Sequence, residues 1–342
     1  MTEQPTIKWY HSPLDKQTLS QLTARSDAWG FAQLLSQLAL TAALGFAAFH
    51  AMLHWPWWAA AGLFYLYATV FTFLGLSGVG HELCHRTVFR TRLWNELFLY
   101  LTSFLTWTNF PHFRASHIGG HHRWTVFHGV DLEVVLPLRV RRRDWLGLFT
   151  FHAAGLWMTL HSTVRYSFGR LKGPWEHRIF PASAVKERRA LTRWSRVLLI
   201  GHAALAAAFI YLGFWPLVLM VTLAIFFARW LNFLCGFTQH AGLRGSVPDF
   251  RICCRTVKLN PILRFFYCQM NYHVEHHMYA AVPFHKLPAL RRALESDLPP
   301  ASRSLFAAWR DILSAQRRQK LDPDYAIIPV LPPSLPRRGK GL

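Results

Sequence analysis

The sequence predicts an all-α integral membrane protein, with four transmembrane helices in two hairpins and a cytoplasmic helical cap. Three observations carry this reading. Residues 28–81 contain no Asp, Glu, Lys or Arg, and neither do residues 197–228. Of the 342 residues, 52% are hydrophobic and 16% charged, well below the roughly 25% charged of an average soluble domain. Basic residues outnumber acidic ones 38 to 17 and gather beside the apolar runs, as positive-inside topology requires.

The polar segment 1–27 precedes the first run. It has no short apolar core and no small-residue cleavage site, so it is expected to stay on the cytoplasmic side rather than act as a signal. One crossing takes about 20 apolar residues, so the first run holds two helices, at about 29–53 and 57–79. His54-Trp55-Pro56 separates them, because proline cannot continue a helix interior. Trp55, Trp57 and Trp58 suit an aromatic belt at the membrane surface.

A second pair is expected at 194–212 and 216–235, turning at 213–216. Neither turn carries Lys or Arg. The opposite ends do: Arg86, Arg90 and Arg92; Lys186, Arg188, Arg189, Arg193 and Arg196; Arg244, Arg251 and Arg255. Both hairpins therefore point their turns outward, and both termini and the middle region are expected in the cytoplasm. Two further apolar stretches, 97–113 and 145–164, are read as interfacial or re-entrant. Arg139, Arg141, Arg142 and Arg143 precede the second and Arg165, Arg170 and Lys172 follow it, which places both its ends on one side.

Residues 28–295 form the membrane unit, and residues 296–342 a cytoplasmic helix with a proline-rich tail. That tail ends in Arg337, Arg338 and Lys340 and is expected to be extended or disordered. Topology accounts for the net charge of +21; with no nucleic-acid motif beside it, no nucleic-acid partner is expected. Five cysteines (Cys84, Cys235, Cys253, Cys254, Cys268) lack metal-finger spacing and read as reduced thiols.

The histidines carry the chemistry. His81-Glu-Leu-Cys-His85 follows the second span, His117-Ile-Gly-Gly-His121-His122 the first dipping stretch, and His273-Val-Glu-His276-His277 the fourth span. Residues three or four apart share a helix face, so each cluster can aim two imidazoles at one point. Packed imidazoles repel when protonated, and charge near a bilayer is expensive. A metal resolves both problems. One ion takes about six ligands at most, so eight imidazoles suggest two ions. Imidazole suits zinc, copper, iron and nickel alike. His81 to His85 also fits the HExxH pattern of zinc proteases, with Glu82 as general base. A membrane protease leaves the other two clusters without a role. His50, His54, His152, His161 and His202 are read as packing residues, and neither His112 nor His128 as a ligand.

Taken in order, HxxxH, HxxxHH and HxxHH resemble the membrane fatty acid desaturase and hydroxylase superfamily. Gly80 to Phe89, Ser116 to Trp124, Met270 to Tyr279, Pro283 to Leu290 and Gln239 to Leu243 look like its desaturase branch. The resemblance covers roughly residues 30–295. It implies two iron ions (Fe2+) held by His81, His85, His117, His121, His122, His273, His276 and His277, with dioxygen as co-substrate. It implies oxygen-dependent desaturation of a fatty acyl or other lipid chain reached from the membrane lipids. Hydroxylation and oxidative decarboxylation are alternatives at the same centre, and some branches act on small polar metabolites. A metal-binding membrane protein without enzymatic activity is the reading from a different class. Electrons must come from outside, because no haem-binding His-Pro-Gly-Gly segment and no iron–sulfur cysteine pattern is present. A ferredoxin with its reductase suits the basic face.

Glu82, Glu275 and, after the second box, Asp131 and Glu133 are candidates to accept the second N–H of a ligating imidazole. Asn271 is a candidate donor beside the third box. Gly119 and Gly120 weaken a helix by about 1 kcal/mol each against alanine, and are expected to permit close approach there. His240, just past the fourth span in Gly236 to Gly242, is expected as a ninth ligand, since superfamily members often draw one from this place. Nine imidazoles would then divide as four and five.

Overall fold

The computed structural model describes residues 6–333. Its regular structure is helical, and β-pairing among the described residues is limited to isolated bridges. The basic end of the tail, with Arg337, Arg338 and Lys340, lies outside the described residues.

Three helices are long and apolar enough to cross a membrane: Asp27–His54, Trp57–His85 and Val185–Tyr211. Ser26 caps the first, its hydroxyl accepting from Trp29 N at 3.4 Å. The helix ends at Trp55-Pro56, as expected. The second is regular over Trp57–Phe71, tightens over Thr72–Leu74, loops, and restarts as Val79–His85. Gly78 makes the loop possible: a Cβ there would lie 1.9 Å from the Phe73 carbonyl oxygen. Trp55, Trp57 and Trp58 at one hairpin tip and Tyr211, Phe214 and Trp215 at the other are exposed. Such rings suit a membrane–water boundary, and with the apolar helices they mark a membrane protein.

The stretch 216–235, expected as a fourth continuous helix, is not one. A widened π-helical turn, Val218–Leu223, is followed by a tight turn, Ala224–Phe226, and the extended Phe227. Ala228 takes a positive φ of 48°, and helix resumes at Trp230–Phe237. The break is tolerated because other segments take up its backbone groups, which no lipid could do. The Tyr67 hydroxyl donates to Met220 O at 2.8 Å and Trp107 Nε1 to Thr222 O at 2.8 Å. A second break faces it. The stretch 145–164 is divided between Arg142–Phe149 and Ala153–Ser167, and Phe151 between them pairs antiparallel with Phe227. His152 N donates to Phe226 O at 2.7 Å and Ala228 N to Thr150 O at 3.0 Å.

Two buried apolar clusters hold the box helices. The larger joins the long helices through Leu34, Phe71, Leu99 and Leu198, and includes Val79 and Leu83 of the first histidine box. The other underlies the cap through Leu22, Phe250, Leu287 and Leu290, and includes Val274 and Met278 of the third. The box helices thus enter one plane from two separate cores. Ser304 caps the last helix, Leu305–Arg318, accepting from Ala307 N at 3.1 Å. Its Trp309 Nε1 donates to Leu234 O at 2.9 Å, tying the C-terminal helix onto the membrane unit. The five cysteines are free and buried.

Candidate metal centre

Nine histidines converge in two groups. His81, His85, His117, His122 and His276 form the first; His121, His240, His273 and His277 form the second. Within each group the ligand atoms lie within 4.8 Å of one another. The first box contributes only to the first group. The second and third boxes are each divided: His117 and His122 face one group and His121 the other, while His276 faces one and His273 and His277 the other. A regular helix would have stacked His117 and His121 on one face. Here residues Arg114–His121 form a widened π-helical turn; the two rings still stack, with centroids 5.1 Å apart, but their ligand atoms fall into different groups.

Three carboxylate contacts fix tautomers. A carboxylate only accepts, so His81 Nδ1–H donates to Glu82 at 3.0 Å, His117 Nδ1–H to Glu133 at 2.6 Å and His121 Nδ1–H to Asp131 at 2.7 Å. His240 Nδ1–H donates to Cys253 O at 2.9 Å. The Thr125 hydroxyl spends its proton on His121 O at 2.7 Å, so it accepts from His277 Nδ1–H at 3.1 Å. In each case Nε2 is left with its lone pair.

The consequence is clearest between His81 and His117. Their Nε2 atoms are 2.8 Å apart, yet neither carries a proton to donate. Two lone pairs at that distance repel unless a cation lies between them. Metal–imidazole bonds of about 2.1 Å at right angles would separate two nitrogens by about 3 Å. His240 and His273 also approach Nε2 to Nε2, at 3.0 Å, but no partner holds the proton on His273 Nδ1, so an Nε2–H of His273 can donate across this contact. Nε2 of His85, His122 and His277, Nδ1 of His273 and both ring nitrogens of His276 are buried without a hydrogen-bond partner among the described residues. Buried polar atoms are rarely left so, and the donor set fits two transition-metal ions.

Electrostatics agree. Burial, then the neighbouring imidazoles, hold His117, His122, His273 and His277 well below the ordinary histidine range, and burial pushes His240 and His276 down to about 3. These rings are neutral at physiological pH, the form that binds metals. His121 moves the other way: burial lowers it, but the hydrogen bond and charge of Asp131 prevail and raise it.

Other expectations fare differently. Glu82 and Asp131 touch imidazoles, and so does Glu133, which also accepts from Ser116 Oγ. Glu275 does not bond an imidazole. Its carboxylate turns to Thr256 Oγ1 at 2.5 Å and Arg291 at 3.1 Å, because the helix His273–Met278 points that face at the cap. Asn271 also misses the rings and donates to Val257 O at 2.9 Å. Gly120 does allow a close approach, but by protein: a Cβ there would lie 2.5 Å from the Trp175 ring. Trp175 Nε1 in turn donates to Ser116 Oγ at 3.1 Å. His202 packs, stacked between Phe104 and Trp107, and donates to Phe104 O at 2.8 Å. Thr125 and the Cys253 carbonyl, which hold His277 and His240, carry no sequence signal, since each lies more than ten residues along the chain from its imidazole.

A family model described as "Fatty acid desaturase" matches residues 55–309. No curated protein matches the chain.

Proposed function

The chain belongs to the fatty acid desaturase family, and from that premise we propose that it is an oxygen-dependent desaturase of a fatty acyl chain, working at a histidine-held pair of iron ions. The single observation that carries this is the convergence of nine buried imidazoles in two groups, with the Nε2 lone pairs of His81 and His117 facing each other in the first. Facing lone pairs need a cation between them, and nine imidazoles in groups of five and four match two ions. His81, His85, His117, His122 and His276 would hold one, and His121, His240, His273 and His277 the other. When bound, the irons supply dioxygen activation and removal of hydrogen from an unactivated C–H bond.

The protein's part is to hold the rings still and dry. Glu82, Glu133 and Asp131 keep the proton on Nδ1 of three rings, so that Nε2 faces inward and is more basic. Phe113 lies parallel to the His117 ring at 4.6 Å, closing the centre toward the membrane helices. We place the centre on the cytoplasmic side, where an external donor such as a ferredoxin reaches it while substrate enters from the bilayer. The zinc-protease reading fits poorly, because Glu82 is buried and bonded to His81 and Thr87 rather than facing an open site. Hydroxylation of the same class of substrate is the second reading, since the metal groups alone do not choose between the two outcomes.

The test is expression with ferredoxin and reductase, followed by mass spectrometry of host lipids. Loss of two hydrogens from an acyl chain supports desaturation; gain of one oxygen transfers the assignment to hydroxylation. No oxygen uptake and no altered lipid would defeat both.

A further inference from the structure

Two cavities meet beneath the metal centre. The outer one, about 460 Å³, runs from exposed Arg139 past Asp144 and His152 to Arg229. The inner one, about 360 Å³, runs from Arg229 to Phe113, whose ring stacks on His117. Ser77, Arg229 and Asn232 line both.

Arg229 is the unusual member. It lies in the stretch 216–235, at the break where Ala228 takes its positive φ and the chain pairs with residues 150–152. Charge within a membrane domain is costly and normally paired. Arg229 NH1 contacts His152 Nδ1 at 3.2 Å, and no carboxylate among the described residues forms an ion pair with it. Asp144 lines the outer cavity, but its carboxylate accepts from Arg141 N at 2.9 Å. His152 itself is held in place, since a Cβ at Gly155 would lie 2.1 Å from its Nδ1 and one at Gly147 2.8 Å from its Cδ2. An arginine carries five N–H donors; the His152 contact engages NH1, and the residue lines both cavities. The inner cavity sets Thr72, Thr106 and Thr108 beside the apolar Leu76, Ile225 and Phe226 among its walls.

We infer that Arg229 receives the anionic head group of the substrate, a carboxylate or a phosphate, and that the substrate chain runs from there through the inner cavity toward Phe113. The inference rests on the oxidase reading only for what happens next; the binding step needs no metal. Arginine meets a carboxylate or phosphate through paired N–H donors, and the two helix breaks bring that fork to the seam of both cavities.

The experiment measures binding to the full chain in detergent, with and without iron, by displacement of a fluorescent fatty acid. The probes are palmitate, hexadecanol and lysophosphatidate of the same chain. Palmitate or lysophosphatidate should bind about tenfold or more tighter than the neutral alcohol. Arg229→Gln should remove the difference, and Arg229→Lys should restore part of it. A stronger lysophosphatidate arm identifies a lipid head group, and a stronger palmitate arm a free acid. Equal binding of acid and alcohol by the unmodified protein overturns the inference, as does an undiminished preference in Arg229→Gln. The unmodified protein's own preference decides the matter if that variant does not fold. Failure of the oxidase reading looks different: the anion preference stands, while oxygen uptake and product are absent.

Discussion

His122 of the first histidine group lies flat against His277 of the second, with ring centroids 4.2 Å apart and planes 15° from parallel. The two groups are therefore mechanically joined. A ring that moves to bind or release one ion presses on a ligand of the other.

The two ions should accordingly be separable but coupled. His240→Ala is expected to leave about one iron per chain, since it removes one of four ligands from the second group, while His202→Ala keeps both. His122→Ala should lower occupancy of both positions, through the lost ligand and the lost stack. Elemental analysis of purified protein reads this directly. Two irons retained in His240→Ala would show that the eight box histidines suffice.

Glu133→Gln and Asp131→Asn should weaken metal binding by about 10- to 100-fold with little change in fold. Each amide can still contact the ring nitrogen but no longer enforces the N–H on Nδ1. Glu275→Gln should leave metal affinity unchanged, because Glu275 bonds Thr256 and Arg291. Chelator competition would distinguish these, and equal losses in all three variants would contradict the assignment.

Acid should destabilise the metal-free protein. His240 and His276 are pushed down to about 3, and His117, His122, His273 and His277 also move down. Between those lowered values and the ordinary histidine value of about 6.5, the unfolded chain binds more protons than the native one. Stability therefore rises with pH across that window and levels off above it. His121, raised through Asp131, contributes the opposite slope only above about 6.5, where the six rings no longer titrate, and Glu133 and Glu275, raised by burial, oppose the six rings from about 4.5 upward. Thermal melts from pH 4 to 8 should show the midpoint climbing to neutrality; a flat or falling profile would count against neutral buried imidazoles.

Topology can be read by labelling. The native cysteines are all buried, so engineered ones report cleanly. Sites beside exposed Arg90, Arg141, Arg170 and Arg244 should react from the cytoplasm, and sites beside exposed Trp55 and Phe214 only from the opposite face. Reaction of the Arg170 site only from outside would show that residues 145–164 cross the membrane after all.

The spacing of histidines at three and four residues, and their place after apolar runs, made the clusters legible from the chain alone, because helix geometry converts short spacings into shared faces. So was the helix end at Trp55-Pro56, where proline chemistry acts within a few residues. Which imidazole faces which group was a tertiary decision. His117 and His121 stack on each other in the π-helical turn Arg114–His121, yet serve different groups, and two separate cores bring the boxes together. Glu133 and Asp131 were visible as nearby carboxylates, whereas Glu275, equally near in sequence, turned out to face Arg291; distance along a chain does not give direction in space. The break at Ala228 and Arg229 was also hidden. Hydropathy registers a side chain's transfer from water, but the continuity of a helix there depends on Tyr67, Trp107 and residues 150–152 supplying partners for backbone groups more than sixty residues away.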